Sequence, residues 1–207
     1  MDIKDFASLI KAKRAELDSL MRSRMPVIAG RMAKDHFQEN FRKGGFVNGG
    51  LHPWQESKRL SAGGSGAASR YGTLLSGRNH LFSSISYTPG EYRVRVANDV
   101  AYAPIHNWGG ITAPAVTDRM RRFAWAKFYE ASGKARKAAT GRGNTRKRGD
   151  AEMPESPQAQ FWKRLALTKK AKLSVKVPQR QFIGESRELT EAISTRTEQE
   201  IRKILNL

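Results

Sequence analysis

Apolar residues along the first forty positions return at intervals of three and four. Ile3, Phe6, Ile10, Leu17, Leu20 and Met21 follow one another in this way, with Lys, Arg and Glu between them, and this period predicts an amphipathic helix. Asp2 or Asp5 is placed to cap its start. Pro26 interrupts the run, so either a second helix opens at Ser23 or one long helix kinks there. Ile28, Met32, Phe37 and Phe41 continue an apolar face until the paired glycines of RKGGF, Arg42 to Phe46, end it.

The period then disappears. Residues 44–78 are rich in Gly, Ser and Ala and read as loop, with Trp54 as anchor and Ser61 to Ser69, SAGGSGAAS, as a mobile stretch of small side chains. A short helix is predicted through Arg78 to Ser84. From Ser83 the pattern alternates on both sides of Pro89-Gly90, which predicts a β-hairpin turning at TPGE. Ile85 and Tyr87 share one face of the first strand. Tyr92, Val94 and Val96 share one face of the second, and Arg93 and Arg95 take the wet side.

Helical spacing returns at Met120, Phe123, Ala124 and Phe128, behind Thr117 or Asp118 as cap, and again as a short helix at Phe161 to Leu167. Leu173, Val175 and Val177 alternate as a strand. The last segment, from Gly184, is an amphipathic helix with Leu189, Ile193, Ile201 and Ile204 or Leu205 on its face. These elements predict an α+β fold: a small antiparallel sheet packed by a long N-terminal helix and a C-terminal amphipathic helix. Residues 1–113 and 178–207 form the core, and 114–177 form an inserted arm with a flexible basic loop at 132–158.

Charge sharpens this picture. The 207 residues carry 38 Lys and Arg against 19 Asp and Glu, a formal net charge of +19. Such a chain attracts polyanions, so nucleic acid is the first partner class and an acidic protein surface the second. Much of the excess lies in one tract, Lys134, Arg136, Lys137, Arg142, Arg146, Lys147 and Arg148. It reads either as a contact to DNA phosphates or an acidic partner, or as a solvated loop. It has no interleaved aromatics, so base stacking and sequence readout are not suggested. There are no cysteines, which excludes disulfides, thiolate metal sites and a cysteine nucleophile. No apolar run is long enough to span a bilayer, and the N-terminus lacks the apolar stretch of a secretory signal.

VANDVAYAPIHNWGGITAP, Val96 to Pro114, looks most like a site. His36, His52, His80 and His106 show no metal-ligand spacing, and no nucleophile elbow is present. Catalysis by His106, or an HNH-like nuclease using His106 and Asn107, therefore lacks its partners. The competing reading is a strand that ends in a packed corner. Tyr102, Ile105 and Trp108 bury apolar area there, His106 bonds locally, Pro104 limits ladder bonding, and Gly109-Gly110 supply unusual φ values. Gly-rich stretches such as GGSGAAS and GRGNTRKRG do not match a phosphate loop and read as linkers. In the arm, Phe123, Trp125, Phe128, Phe161 and Trp162 either pack its two helices together or form a subunit interface.

Three segments occur in a telling order: Leu75 to Ile85 (LSGRNHLFSSI), Tyr102 to Gly110 (YAPIHNWGG) and Pro178 to Ser186 (PQRQFIGES). With the N-terminal helix, the Trp54 loop and the closing helix, this resembles the phage virion-morphogenesis family, the tail-completion and head–tail joining proteins of Mu-like and related tailed phages. Asn107 stands where that family often has Gln, and the segment before Pro178 is longer than in compact members. The resemblance implies a structural virion protein, not an enzyme, with no catalytic residues and no cofactor or metal. It implies a ring homo-oligomer, commonly a hexamer, at the head-proximal end of the tail. Its partners would be the tail-tube and head–tail connector proteins, with viral DNA passing through the channel without sequence readout. Assembly would take place in the host cytoplasm. The alternatives are another neck or tail-tip ring, and a non-sequence-specific nucleic-acid-binding protein.

Overall fold

A computed structural model describes residues 2–57, 60, 70–132 and 156–206. The fold is α+β, as expected, and it divides into two compact units, one of residues 1–110 and 177–207 and one of residues 111–176.

The first unit opens with α1, Ile3–Ser19, and α2, Met25–Lys43. Asp2 caps α1, its carboxylate accepting from the Ile3 amide while Asp5 reaches back to the Asp2 amide. Pro26 neither starts a separate helix nor breaks the chain. The two helices are joined by one π-helical turn, Leu20–Arg24, in which the Met25 amide reaches back to the Leu20 carbonyl. The Arg22 carbonyl would ordinarily accept from residue 26, but proline has no N–H. The Tyr92 amide fills that place at 3.1 Å. Gly44 ends α2 in the left-handed conformation, as a helix-terminating glycine should.

Residues 44–78 are less irregular than expected. Gly45–Val47 (β1) and Leu51–Pro53 (β2) pair antiparallel around a tip containing Gly49 and Gly50. Trp54 anchors the following chain: its indole N–H donates to the Gln181 carbonyl at 2.7 Å and its ring meets Phe41 edge-on. Ser61 to Ser69 lie outside the described residues. A single helical turn, α3, His80–Ser83, follows.

The hairpin β3, Ile85–Gly90, and β4, Arg93–Asn98, is present, but its turn is not at Pro89-Gly90. Pro89 pairs with Val94 and Gly90 with Arg93, so Glu91 and Tyr92 form the loop. The physical reason lies elsewhere in the chain. Tyr92 adopts a left-handed φ of 55°, unusual for a non-glycine residue, and is clamped onto the π-turn. Its hydroxyl donates to Asp18 at 2.5 Å, its amide to Arg22, and Glu91 pairs with Arg22 at 2.6 Å. Pro89 falls opposite Val94, one position from the pair that closes the two-residue loop, where the alternation of an antiparallel ladder needs no N–H. Arg93 and Arg95 are exposed, and Ile85, Tyr87, Val94 and Val96 turn inward.

Glycine brings α2 onto this ribbon. A Cβ on Gly30 would sit 2.4 Å from the Tyr87 ring and 2.8 Å from Val94. The core runs from Ala33, Phe37 and Phe41 of α2 through Phe46, Leu81, Ile85 and Ala103 to Phe182. The closing helix, α7 below, is Arg187–Leu205, capped by Ser186, whose hydroxyl accepts from the Leu189 amide. It packs by Leu189, Ile193, Ile201 and Ile204, all half-buried, and buries Glu200, which gathers Arg24, Arg196 and Lys203 at 3.8, 2.9 and 2.8 Å. The bond from Lys203, more than the burial that opposes it, holds that carboxyl below its ordinary range.

In the second unit, α5, Asp118–Ser132, packs against α6, Pro157–Ala166. Thr117 is the cap of α5, its hydroxyl accepting from Met120. Ser132, Pro157 and Gln158, expected in the basic loop, are helical. The second strand of this region is Val175–Val177 (β6), which pairs with Gly110–Thr112 (β5). Leu173 lies outside it, although its amide donates to the Pro114 carbonyl. A further helix of the first unit, α4, is Ala103–Trp108. No helix of the described residues is long and apolar enough to cross a membrane.

Gly30→Ala tests the helix–ribbon contact. On an isolated helix this change is favourable by about 1 kcal/mol. Here the added methyl must displace an aromatic ring, so we expect a net loss of about 2 kcal/mol, read as a lower urea midpoint with unchanged m-value.

Candidate functional site

The segment Tyr102 to Gly110 is not a strand ending in a corner. Pro104 lies in the first turn of α4, where a missing N–H is harmless, so the residue that argued for a strand edge instead starts a helix. Gly109, at φ 72°, ends it. A Cβ there would stand 2.9 Å from the Gln179 amide, so the returning chain at 178–180 passes too close for any side chain. Gly110 also has positive φ, 143°.

The side chain that holds this corner is Asn107. It is buried, and its side-chain bonds go to one irregular stretch of chain. Its carbonyl oxygen accepts from the Phe182 and Ile183 amides at 2.9 and 3.0 Å, and its amide donates to the Ile183 carbonyl at 3.1 Å. Asn40, equally buried, donates to the Phe182 carbonyl at 3.3 Å and accepts from the Val47 amide at 3.2 Å. Trp108, expected to pack the corner, is 66% exposed. Tyr102 is exposed too, its ring edge-on to His106 and its hydroxyl 3.3 Å from His80 Nδ1.

His106 faces away from this bonding cluster. With Arg180, Ser57, Tyr102 and the leucines at 74, 75 and 81 it lines a cleft of about 390 Å³. The His106 carbonyl accepts from the Arg180 amide at 2.8 Å, so the segments at 102–110 and 178–186 are joined by backbone as well. Arg180 is only 8% exposed, and its guanidinium donates to the carbonyls of Gln55 at 2.8 Å and Glu56 at 3.4 Å. Burial lowers the Arg180 pKa. Burial first, and the charge of Arg180 second, hold His106 below the ordinary imidazole range and favour its neutral form. His36 is also lowered, mainly by burial. Asn107 is committed to backbone, so the two do not form a joint reactive pair. Among the described residues no group of three His, Asp or Glu side chains comes together. Chemically, the cleft offers hydrogen-bond donors and one fixed positive charge.

The arm aromatics sort into packed and exposed members. Phe128 is buried between α5 and α6 with Ala124, Ala159 and Ala166, Trp125 lies edge-on to it at 5.5 Å, and Trp162 meets Phe123 at 5.8 Å. Phe123 and Phe161 keep more than half of their surface exposed. Arg121 closes the end of α6 by donating to the Ala166 and Thr168 carbonyls. The basic tract, Lys134, Arg136, Lys137, Arg142, Arg146, Lys147 and Arg148, lies outside the described residues.

Fold and site thus define an α+β protein whose irregular segment 180–183 is held by buried amides beside a cationic cleft. No family model matches the chain, and comparison with curated proteins and with solved structures also gives no match.

Asn40, Asn107 and Arg180 carry most of this geometry, yet His106 and Trp108 draw the eye in the sequence. A polar residue inside an apolar period, as Asn40 is between Phe37 and Phe41, was the available signal. What it could not supply was the partner far along the chain.

Asn107→Ala leaves two buried amides and a carbonyl unpaired, and we expect it to cost about 3 kcal/mol; equilibrium urea unfolding measures it. Because His36 and His106 bind protons less readily folded than unfolded, their contribution to stability is complete above the unfolded pKa. It is lost as pH falls through that value toward the folded ones. We therefore expect a lower urea midpoint at about pH 5.5 than at about pH 7.5, a window in which most carboxylates stay ionised. The difference should shrink in His106→Gln.

Proposed function

We propose that this protein is a structural virion component of a tailed phage that acts in tail completion or head–tail joining, as one subunit of a ring at the head-proximal end of the tail. The observation that carries the reading is the meeting of the three resemblance segments in one core. Leu81 and Ile85 of the first, Ala103 of the second and Phe182 of the third pack together, and Asn107 bonds the second to the third.

A ring subunit also needs a surface for its neighbour, and α1 supplies one. It buries none of its residues; Ile3, Phe6 and Ile10, one stripe of the helix, are 84, 55 and 52% exposed. An isolated helix of this length is marginal in water, and its stability ordinarily comes from packing such a stripe. In this reading a second copy of the chain covers it. The arm, residues 114–177, reaches a neighbouring subunit or another virion protein, and the basic tract meets an acidic partner or the DNA in the channel. The subunit is made in the host cytoplasm and ends in the virion.

The net charge of +19 gives a second reading its support, a free-standing protein that binds nucleic acid without sequence preference. Native mass spectrometry at two salt concentrations, with and without a short duplex, separates the two. We expect a ring-sized oligomer, or a monomer that assembles only on tail tubes, with weak duplex binding. A stable monomer or dimer that binds duplex tightly and loses it steeply with salt would favour the second reading. Phe6→Glu should abolish the oligomer; compared with the parent at a concentration where both are monomers, its unfolding free energy should lie within about 0.5 kcal/mol, since the position is exposed there.

A further inference from the structure

Arg180 is a buried cation that has no counter-charge among the described residues. Among the described residues no carboxylate pairs with it; its bonds go to two backbone carbonyls, and the Glu56 side chain lies exposed at the surface. Residues 57–70, SKRLSAGGSGAASR, contain no Asp or Glu. Burying a guanidinium in this way is costly unless an anion completes the site. Two further polar atoms beside it are buried and without partners, Ser57 Oγ and His106 Nδ1. Native proteins rarely leave such atoms unsatisfied, and a cluster of them in one cleft points to something that fills it. Both residues line the Arg180 cleft, and its opposite wall is Leu74, Leu75 and Leu81. At about 390 Å³ the space suits a small group.

We propose that this cleft binds a carboxylate carried on a branched or linear alkyl group. The guanidinium fork takes the two carboxylate oxygens, as its planar geometry favours. Turned slightly from their present buried positions, the Ser57 hydroxyl and the His106 ring N–H, with the proton on Nδ1, donate to the same oxygens. The alkyl part lies on the leucines. A single fixed positive charge with an apolar wall matches one carboxylate better than a doubly charged phosphate. The carboxylate comes either from a free small acid or from a Glu or Asp side chain next to a leucine-like residue in a partner protein.

The test is NMR titration of the purified full chain, following the His106 ring signals. The probes are 4-methylpentanoate, acetate, inorganic phosphate and two end-blocked tripeptides, Leu-Glu-Leu and Leu-Gln-Leu. We expect saturable shifts with 4-methylpentanoate, about tenfold tighter than with acetate, the gain from burying about two CH₂ equivalents. Tighter binding of Leu-Glu-Leu than of the free acid, with none for Leu-Gln-Leu, assigns the source to a protein partner; the reverse order assigns it to a small acid. Arg180→Gln should abolish binding. Since Arg180 also holds two carbonyls, Ser57→Ala serves as a second variant. Its hydroxyl has no partner to lose, so it should fold as the parent does and bind about fivefold more weakly, the loss of one hydrogen bond. Several results would overturn the proposal: no saturable shift up to about 10 mM of either carboxylate, phosphate binding tighter than 4-methylpentanoate, or unchanged affinity in Ser57→Ala.

Discussion

The fold depends on satisfying the backbone of a segment that has no regular structure. Gln181, Phe182 and Ile183 cross the core without entering a helix or ribbon, and a buried peptide group without a partner is expensive. Four side chains do what a neighbouring strand would otherwise do. Trp54 takes the Gln181 carbonyl, Asn40 the Phe182 carbonyl, and Asn107 two amides and a carbonyl, while Arg180 ties the preceding turn to the loop at 55–56. With these in place Phe182 can pack against Phe41 at 5.1 Å between ring centres. Without them the same ring would draw unsatisfied amides into the core.

A second constraint has the same logic on a smaller scale. Pro26 removes one donor from a long helix, and the π-turn and the Tyr92 amide accommodate the loss together. The vacancy in the helix becomes the anchor of the hairpin tip. Local irregularity here serves tertiary packing, with Asp18 and Arg22 completing the clamp through side chains.

These two constraints explain how far the sequence could be read. Helices announce themselves through local period, and α1, α2, α5 and α7 follow from the spacing of their apolar residues, with caps such as Asp2 and Thr117 marking the starts of α1 and α5. The strands β3 and β4 follow from alternation, and so does the outward face of Arg93 and Arg95. The turn between them did not, because Pro-Gly is a strong local turn signal, while the residues that set the true turn lie far upstream. Residues 103–108 were misread for a related reason. Pro104 suits a strand edge or a first helical turn equally well, and only the carbonyls and amides waiting at 182–183 favour the helix that aims Asn107 at them. Likewise the cationic cleft draws on four separate stretches of chain, and no spacing within any one of them announces it.

The bonds that complete the core join residues very distant along the chain: 142 positions separate Asn40 from Phe182, 127 separate Trp54 from Gln181 and 75 separate Asn107 from Phe182. Contacts of such separation form late and slow the passage over the folding barrier. During synthesis, α2, the hairpin and α4 emerge with the pocket for Phe182 still open. The first unit therefore closes around its centre only after the whole of the second unit has been made. Newly made chains pass through a stage in which an apolar cavity and several unpaired amides face water, and that stage, not the finished fold, is where this protein is most exposed to misassembly.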